Sequence, residues 1–244
     1  MNPGADSQTP LRRVAFFGGR FDPPHLGHLA VARAARTALD LDAVLFAPVG
    51  VQPLKGRGAT AGYQDRVAMT KLAITGEPGF ELSLADAPTA SGAPNYSLDT
   101  LESLRSQLAG CALFFLMGAD AFFGLRLWRR AAQIPFVAPL IVASRPGQRL
   151  GNIRAALPEG LTLEAADEDS GERGHKDVCA FLVRNQAGET ADFYLLPGLD
   201  VPISASDIRA RIQAEPFPGR PLVSHPDLLP QPVLEYIRTH GLYR

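Results

Sequence analysis

Short apolar runs alternate with longer amphipathic stretches along most of this chain. Continuous apolar runs bounded by turn residues are typical of buried strands, and apolar residues three and four positions apart are typical of helices. Strands are therefore predicted at residues 14–17, 43–48, 80–84, 111–117, 140–144 and 193–196, and helices at residues 28–39, 64–75 and 97–108. This β-α-β-α order favours right-handed crossovers and an α/β fold built on a doubly wound parallel sheet.

Two stretches depart from the alternation. Residues 50–62 hold several glycines and a proline, which predicts a mobile loop. Residues 164–191 are polar and acidic at their start, which predicts an insertion outside the core. Residues 204–244 predict a small C-terminal helical part. With residues 1–12 as a flexible N-terminal extension, all 244 residues are predicted to form one domain.

Composition narrows the class of protein. Hydrophobic residues make up 46% and charged residues 20%, with a net charge of −1, which excludes wholesale disorder and a nucleic-acid-coating role. The two cysteines, Cys111 and Cys179, form no Cys-x-x-Cys motif, and a reducing cytoplasm is the expected location. Because no long apolar run or secretory leader is visible, no membrane is expected as a partner. The near-neutral charge balance likewise predicts no nucleic-acid partner. The sequence leaves monomer and homo-oligomer open.

The segment GGRFDPPHLGH, residues 18–28, lies between the first predicted strand and the first predicted helix. In an open α/β sheet this is the carboxyl edge, where ligands bind. Gly18 and Gly19 allow close backbone approach, and a helix start with unpaired N–H groups favours phosphate. His25 and His28 share one face of a helical turn and can donate to a phosphoryl group. The alternative is a glycine-rich turn with two surface histidines.

A second candidate segment is ISASDIR, residues 203–209, before a late predicted helix. Ser204 and Ser206 offer hydroxyl groups at the helix start, and the Arg209 guanidinium suits phosphate oxygens. The alternative is a capping box of Ser204 and Asp207 without any ligand. Capping and phosphate binding can coexist.

These two segments resemble the GGxFDPxHxGH and ISx[ST]x[IL]R signatures of the nucleotidylyltransferase superfamily. Further segments, in the same order along the chain, are similar to those of bacterial nicotinate-nucleotide adenylyltransferases: YSLDTL at 96–101, GAD at 118–120 followed by Trp128, SRPG at 144–147, and the tail 234–243. The resemblance implies a Rossmann-like sheet of the nucleotidylyltransferase type.

The resemblance also implies a reaction and its residues. AMP would pass from ATP to nicotinate mononucleotide, giving deamido-NAD and pyrophosphate, with Mg²⁺ held mainly by the ATP phosphates and no metal ligand from the protein. His25, His28 and Arg209 would be catalytic. The implied ATP-binding residues are Gly18, Gly19, Phe21, His25, His28, Gly118, Asp120, Ile203, Ser204, Ser206 and Arg209. The implied nicotinate mononucleotide-binding residues are Lys55, Ser97, Trp128, which would stack on the pyridine ring, and Arg129, which would act through its backbone N–H.

Three positions depart from the family pattern. Arg20 replaces a small hydroxyl residue, Lys55 lies in a loose copy of a family loop motif, and Ala205 replaces a common serine.

Two alternatives to this function stay open. One is an adenylyltransferase of the same fold with another acceptor, such as nicotinamide mononucleotide or pantetheine phosphate, and the other is a nucleotide-binding module without catalysis.

Overall fold

The structure, a computed structural model, describes residues 11–53, 59–144, 150–165, 178–197, 203–214 and 228–244. Its centre is an eight-stranded sheet. The strands are β1 Arg12–Gly19, β2 Ala43–Pro48, β3 Phe80–Leu82, β4 Cys111–Gly118, β5 Leu140–Ala143, β6 Leu161–Ala165, β7 Cys179–Asn185 and β8 Thr190–Leu196. The helices are α1 Leu26–Ala38, α2 Tyr63–Ile74, α3 Ser97–Gln107, α4 Ala119–Phe123, α5 Ile134–Val137, α6 Leu150–Ala155, α7 Ala205–Gln213 and α8 Gln231–Thr239.

The strand order is β3-β2-β1-β4-β5-β8-β7-β6. Neighbours from β3 through β8 pair in parallel, whereas β7 is antiparallel to both β8 and β6. The chain runs from β1 outward to β3 and then crosses to β4 on the other side of β1. Ligands in open α/β sheets bind at such a switch point, outside the carboxyl ends of the strands. The topology therefore places the ligand edge where β1 and β4 end.

The order and type of the predicted elements are confirmed, and the sheet is mostly parallel as predicted, with antiparallel pairing of β7 to β8 and β6 at one side. The expectation that residues 164–191 lie outside the core is wrong, because β7 and the start of β8 fall within them. Phe181 and Val183 alternate with more exposed residues and are buried. The apolar run CAFLV of β7 is short and lies between polar stretches, so the composition of the whole segment does not reveal the strand. Residues 166–177 lie outside the described residues.

The predicted N-terminal extension also ends earlier than expected, because Arg12 already belongs to β1. Its guanidinium pairs with Glu81 at 2.7 Å. The next residue, Arg13, donates from Nε to the carbonyl oxygen of Leu39 at 2.9 Å and lies over the Phe114 ring. These contacts provide partners for two charged side chains at the start of β1. The apolar pattern did not include these two residues in the predicted strand.

The sheet is covered on both faces because its central strands are apolar on both faces. In β1, Val14 and Phe16 belong to one core, and Ala15 and Phe17 belong to the other. Successive strand residues point to opposite faces, so one strand supplies both cores. Buried residues of α3 line the first core and buried residues of α1 line the second.

A third core joins α2 to the C-terminal helices α7 and α8. Its buried members include Met69, Ile208, Val233 and Ile237. Within the parts of the chain that the structure describes, no helix is long and apolar enough to cross a membrane. The third core brings α7, which carries Arg209, to the loop after β1.

Candidate active site

The turn between β1 and α1 is built for close backbone approach. A Cβ atom on Gly18 would lie 2.9 Å from Cε1 of Phe16, and one on Gly19 would lie 3.2 Å from Cζ of Phe21. Phe21 adopts a left-handed φ of 46°, and its buried ring meets His28 edge-on with 4.9 Å between ring centroids. The predicted glycines and Phe21 therefore shape one wall beside the histidines.

His25 and His28 are brought together, as their three-residue spacing predicts. The backbone N–H of His25 donates to Nδ1 of His28 at 3.1 Å, and the two ring centroids are 3.7 Å apart with planes inclined by 31°. A neutral imidazole nitrogen that accepts a hydrogen bond carries no proton. His28 therefore carries its proton on Nε2, which makes that atom the donor available to a ligand.

The start of α1 offers fewer free N–H groups than the sequence predicts. The N–H of His25 is used by His28, and the N–H of Leu26 donates to the carbonyl oxygen of Leu228 at 2.9 Å. The expectation of unpaired backbone donors is thus wrong for these two residues. These two backbone N–H groups are therefore not available to a ligand.

Burial makes both histidines neutral at physiological pH. It lowers the pKa of His25 to about 4. Burial, with the neighbouring His25 as a second cause, lowers the pKa of His28 well below its usual 6.5. Nδ1 of His25 is a buried nitrogen without a hydrogen-bond partner among the described residues. An arriving phosphate would favour the protonated imidazoles and raise both pKa values.

Asp22 is a buried junction in the same turn. Its side-chain oxygens accept hydrogen bonds from the N–H of Thr60 at 2.7 Å, the N–H of Ala61 at 3.0 Å and the hydroxyl of Tyr243 at 2.8 Å. Nη1 of Arg209 lies 3.9 Å from the Asp22 Oδ2 atom. One buried carboxyl group thus joins the turn after β1, the end of the loop before α2, helix α7 and the chain terminus.

Arg209 spans the two predicted segments. Its Nη1 donates to the carbonyl oxygen of Asp22 at 2.6 Å, 187 positions away in sequence, and its Nη2 donates to Oγ of Ser206 at 3.2 Å. Ser204 caps α7, its Oγ accepting from the N–H of Ser206 at 3.2 Å. Ile203 directly precedes this cap. The capping role of Ser204 is confirmed, and Arg209 lies beside the glycine-rich turn.

Gly118 and Asp120 lie at the neighbouring strand end. Gly118 ends β4 and caps the short helix α4, and Asp120 stands in the first turn of that helix. Because β1 and β4 are parallel neighbours, both predicted glycine-containing strand ends reach the same sheet edge.

Trp128 and the start of α3 form a second part of this edge. Trp128 is half-buried, and its ring centroid lies 6.2 Å from that of Phe115 in the core. The Arg129 guanidinium lies 4.6 Å above the Tyr96 ring, directly before Ser97, with Nη1 at 3.4 Å from Asp99. Arg129, which follows Trp128 in sequence, therefore contacts the start of α3 on both sides of Ser97.

Asp86 links the two parts and was not predicted from the sequence. Its buried side chain accepts from the Thr100 hydroxyl at 2.6 Å, and its Oδ2 lies 3.6 Å from the position of a Cβ on Gly18. Burial raises the pKa of Asp86, and the hydrogen bond from Thr100 partly opposes this. The carbonyl oxygen of Asp86 accepts from the N–H of Gly50 at 2.7 Å. Lys55, in the loop that begins there, lies outside the described residues.

Arg66 is a second residue that sequence reasoning missed. It is buried in α2, and its Nη1 donates to the carbonyl oxygen of Arg20 at 2.8 Å. The backbone of Arg20 is therefore fixed, although its side chain departs from the family pattern. The sequence signal for Arg66 was a charged residue at a position where the predicted helix should be apolar. For Tyr243 there was no sequence signal except the resemblance of the tail to the family tail.

The comparisons with known proteins agree with this arrangement. The sequence profile of the cytidylyltransferase-like family matches residues 16–211. A Solibacter usitatus protein named "probable nicotinate-nucleotide adenylyltransferase" is 36% identical over 232 residues, covering 95% of this chain and 99% of that protein. A protein of the same name from Gloeobacter violaceus is 35% identical over 231 residues, covering 95% and 96%. This chain belongs to the nicotinate-nucleotide adenylyltransferase family.

Solved structures extend the likeness to the fold. The nicotinic acid mononucleotide adenylyltransferase of Plasmodium falciparum, complexed with NaAD, matches with a TM-score of 0.65 at 14% identity and covers 95% of this chain and 97% of that chain. At this identity the likeness establishes the fold alone. The predicted fold class, the family and the assignment to the nucleotidyltransferase enzymes of NAD biosynthesis are confirmed. The roles of the individual site residues stay predictions.

Proposed function

We propose that this adenylyltransferase moves AMP from ATP to the phosphate of nicotinate mononucleotide, releasing pyrophosphate and forming deamido-NAD. The observation that supports it most is the meeting of the His25–His28 pair, the glycine-rich turn and Arg209 at the ligand edge of β1. Two kinds of donor lie there, imidazole N–H groups and a guanidinium group, beside glycines that leave room for a phosphate. Such a set suits a triphosphate and its leaving pyrophosphate.

The substrate phosphate is itself an anionic nucleophile, so the enzyme needs no activated serine or cysteine. Catalysis then consists of in-line positioning and of stabilising charge on the α-phosphate and the leaving group. Nε2 of His28 donates to the phosphoryl group, and His25 restrains the His28 ring through its backbone N–H. Arg209 supplies the fixed positive charge toward the β- and γ-phosphates.

Mg²⁺ is proposed to enter with ATP. Among the residues that the structure describes, no group of three or more His, Cys, Asp or Glu side chains could hold a metal ion. The Asp22 side chain is already occupied by N–H and O–H donors. The site therefore fits an ion held by phosphates and water, as Mg²⁺ commonly is. Bound in that way, the ion supplies charge neutralisation for the leaving pyrophosphate.

The acceptor is proposed to lie along Trp128 and the start of α3. The half-buried Trp128 would stack on the pyridine ring. Ser97 and the backbone N–H of Arg129 would receive the carboxylate, with the Arg129 guanidinium held nearby over Tyr96. Lys55 is proposed to contact the acceptor from the loop between β2 and α2.

The test is pyrophosphate release from ATP and Mg²⁺ with nicotinate mononucleotide and nicotinamide mononucleotide offered side by side. We expect a strong preference for the nicotinate form. His28→Ala should lower turnover by roughly 10²-fold or more, since it removes a donor to the developing charge. His240→Ala, at an exposed position at the end of α8, is the matched control.

Near-normal turnover in H28A with an intact fold would contradict the role of His28. Equal use of both acceptors would contradict the proposed specificity and leave an adenylyltransferase with a broader acceptor range. ATP binding without pyrophosphate release with either acceptor would contradict the reaction itself.

A further inference from the structure

We propose that Tyr243 is a positioning residue for adenylyl transfer. Its hydroxyl group donates a hydrogen bond to the Asp22 carboxylate, so that the Arg209 guanidinium is not drawn to this carboxylate and stays directed at the triphosphate. The inference rests on the proposed function and deepens it, because Tyr243 acts on ATP recognition without contacting ATP. Arg209 is the residue through which it acts.

The C-terminal segment is fixed to the glycine-rich turn at two places. Leu228 accepts from the N–H of Leu26 through its carbonyl oxygen at 2.9 Å, and the Tyr243 hydroxyl donates to Oδ1 of Asp22 at 2.8 Å. The second bond joins residues 221 positions apart in sequence. The segment that holds Leu228 and Tyr243 is therefore packed behind the glycine-rich turn.

The backbone before Tyr243 turns sharply to make this contact. Gly241 has a left-handed φ of 60°, and the N–H of Leu242 donates to the carbonyl oxygen of Ile237 at 3.1 Å, which closes the end of α8. Tyr243 itself has a φ of 65°, an unusual conformation for a residue with a side chain. Its ring is buried in the core shared by α2, α7 and α8. Packing and the hydroxyl contact together hold a conformation that the backbone disfavours.

The geometry around Asp22 explains why one hydroxyl group matters. The Asp22 side chain is buried, and its Oδ2 accepts from the N–H of Thr60, while its Oδ1 accepts from Ala61 and Tyr243. Arg209 approaches Oδ2 only to 3.9 Å and instead donates to the main-chain oxygen of the same residue at 2.6 Å. With its oxygens occupied by neutral donors, Asp22 does not draw the guanidinium into a close ion pair.

Removing the hydroxyl group changes that balance. A buried carboxylate that loses a hydrogen-bond donor has an acceptor oxygen with one partner fewer, which costs free energy until another donor approaches. Two cations interact with Asp22: Arg209, 3.9 Å from Oδ2, and Arg66, whose Nη1 donates to the carbonyl oxygen of Arg20. We expect the Arg209 guanidinium to move toward the carboxylate and away from the phosphates. Burial and the nearby Asp22 also hold the pKa of Tyr243 far above its usual value, so the hydroxyl stays protonated and donates throughout the working pH range.

The test compares Tyr243→Phe with Tyr236→Phe. The control is closely matched: the Tyr236 hydroxyl also donates to a carboxylate, that of Asp65 at 3.0 Å, from the same C-terminal segment but without contact to Asp22. Both variants keep the ring and its packing. We expect Y243F to raise the KM for ATP and to lower kcat/KM for ATP about tenfold, the loss typical of a hydrogen bond to a charged group. The KM for nicotinate mononucleotide should be nearly unchanged, and Y236F should resemble the wild type in all three constants.

A double-mutant cycle with Arg209→Lys identifies the route of the effect. If Tyr243 acts through Arg209, Y243F should add little to the loss already caused by R209K. Fully additive losses would overturn the proposal, as would equal losses in Y243F and Y236F, or a loss in the KM for the acceptor rather than for ATP.

A binding measurement separates this proposal from the proposed function. Isothermal titration of ATP with Mg²⁺, without any acceptor, should show weaker binding to Y243F than to Y236F or the wild type. This holds even if the wild-type protein releases no pyrophosphate with nicotinate mononucleotide, in which case the reaction is wrong and the positioning role stands. Equal ATP affinity in the three proteins overturns the positioning role whatever the acceptor.

Discussion

The histidine pair should make the protein less stable in mild acid, well before carboxylates become protonated. In the folded protein burial lowers the pKa of His25 to about 4, from 6.5 for an unburied histidine. Between these values the unfolded chain binds a proton that the folded chain does not. The free energy of unfolding is therefore highest above pH 6.5, and it falls as the pH falls toward about 4.

The size of the effect follows from the shift. A difference of one pKa unit corresponds to about 1.4 kcal/mol, so the full effect of His25 is about 3 kcal/mol. At pH 5, protonation of this one residue in the unfolded chain has already lowered the free energy of unfolding by roughly 2 kcal/mol. His28, whose pKa is also lowered by burial and by His25, changes stability in the same direction.

The assay is urea unfolding of the wild type and of a histidine variant at several pH values between 7.5 and 5. Any titration of carboxyl groups, including Asp86 with its raised pKa, is common to both proteins and cancels in the comparison. His25→Gln removes the ionisable ring, so the loss of stability from pH 7.5 to pH 5 should be smaller in H25Q by about 2 kcal/mol. His240→Gln, at an exposed position, is the matched histidine-to-glutamine control. Comparing changes with pH rather than absolute stabilities removes the cost of the lost ring contact.

A parallel fall in the stability of H25Q and the wild type would refute this account. So would proton NMR in which the His25 ring of the folded protein titrates near pH 6.5. Either result would mean that water reaches the pair and that the rings are ordinary surface imidazoles. They would then meet ATP partly as cations.

Two further predictions concern the residues that connect the parts of the site. Gly50→Ala should destabilise the protein by about 1–3 kcal/mol, because its Cβ would lie 2.5 Å from the backbone nitrogen of Pro88, and urea unfolding measures this loss. Thr100→Val should lower the free energy of unfolding by about 1–3 kcal/mol and raise the pKa of Asp86 further, because the buried carboxyl group loses its hydroxyl donor. Urea unfolding at pH 7 measures the first effect, and carbon NMR of the carboxyl group measures the second.

Local parts of the site could be predicted because the sequence holds all their determinants. His25 and His28 lie one helical turn apart, directly after a strand and two glycines, so spacing alone places their rings on one face. The antiparallel strands β6 and β7 were missed because each is short, buries only one face and lies among polar residues. A periodicity argument detects strands that are apolar on both faces more readily than strands of this kind.

The Asp22 junction could not be predicted from local pattern, since its partners are distant in sequence. Asp22 contacts Thr60, Arg209 and Tyr243, and each contact exists only after α2, α7 and α8 have packed into their shared core. The two halves of the proposed phosphate site therefore depend on different determinants. The pairing of the two imidazole rings follows from one turn of local sequence, whereas the position of the Arg209 guanidinium depends on contacts between distant segments. Substitutions in the C-terminal helices should consequently impair the binding of ATP through Arg209 while leaving the hydrogen bond between His25 and His28 in place.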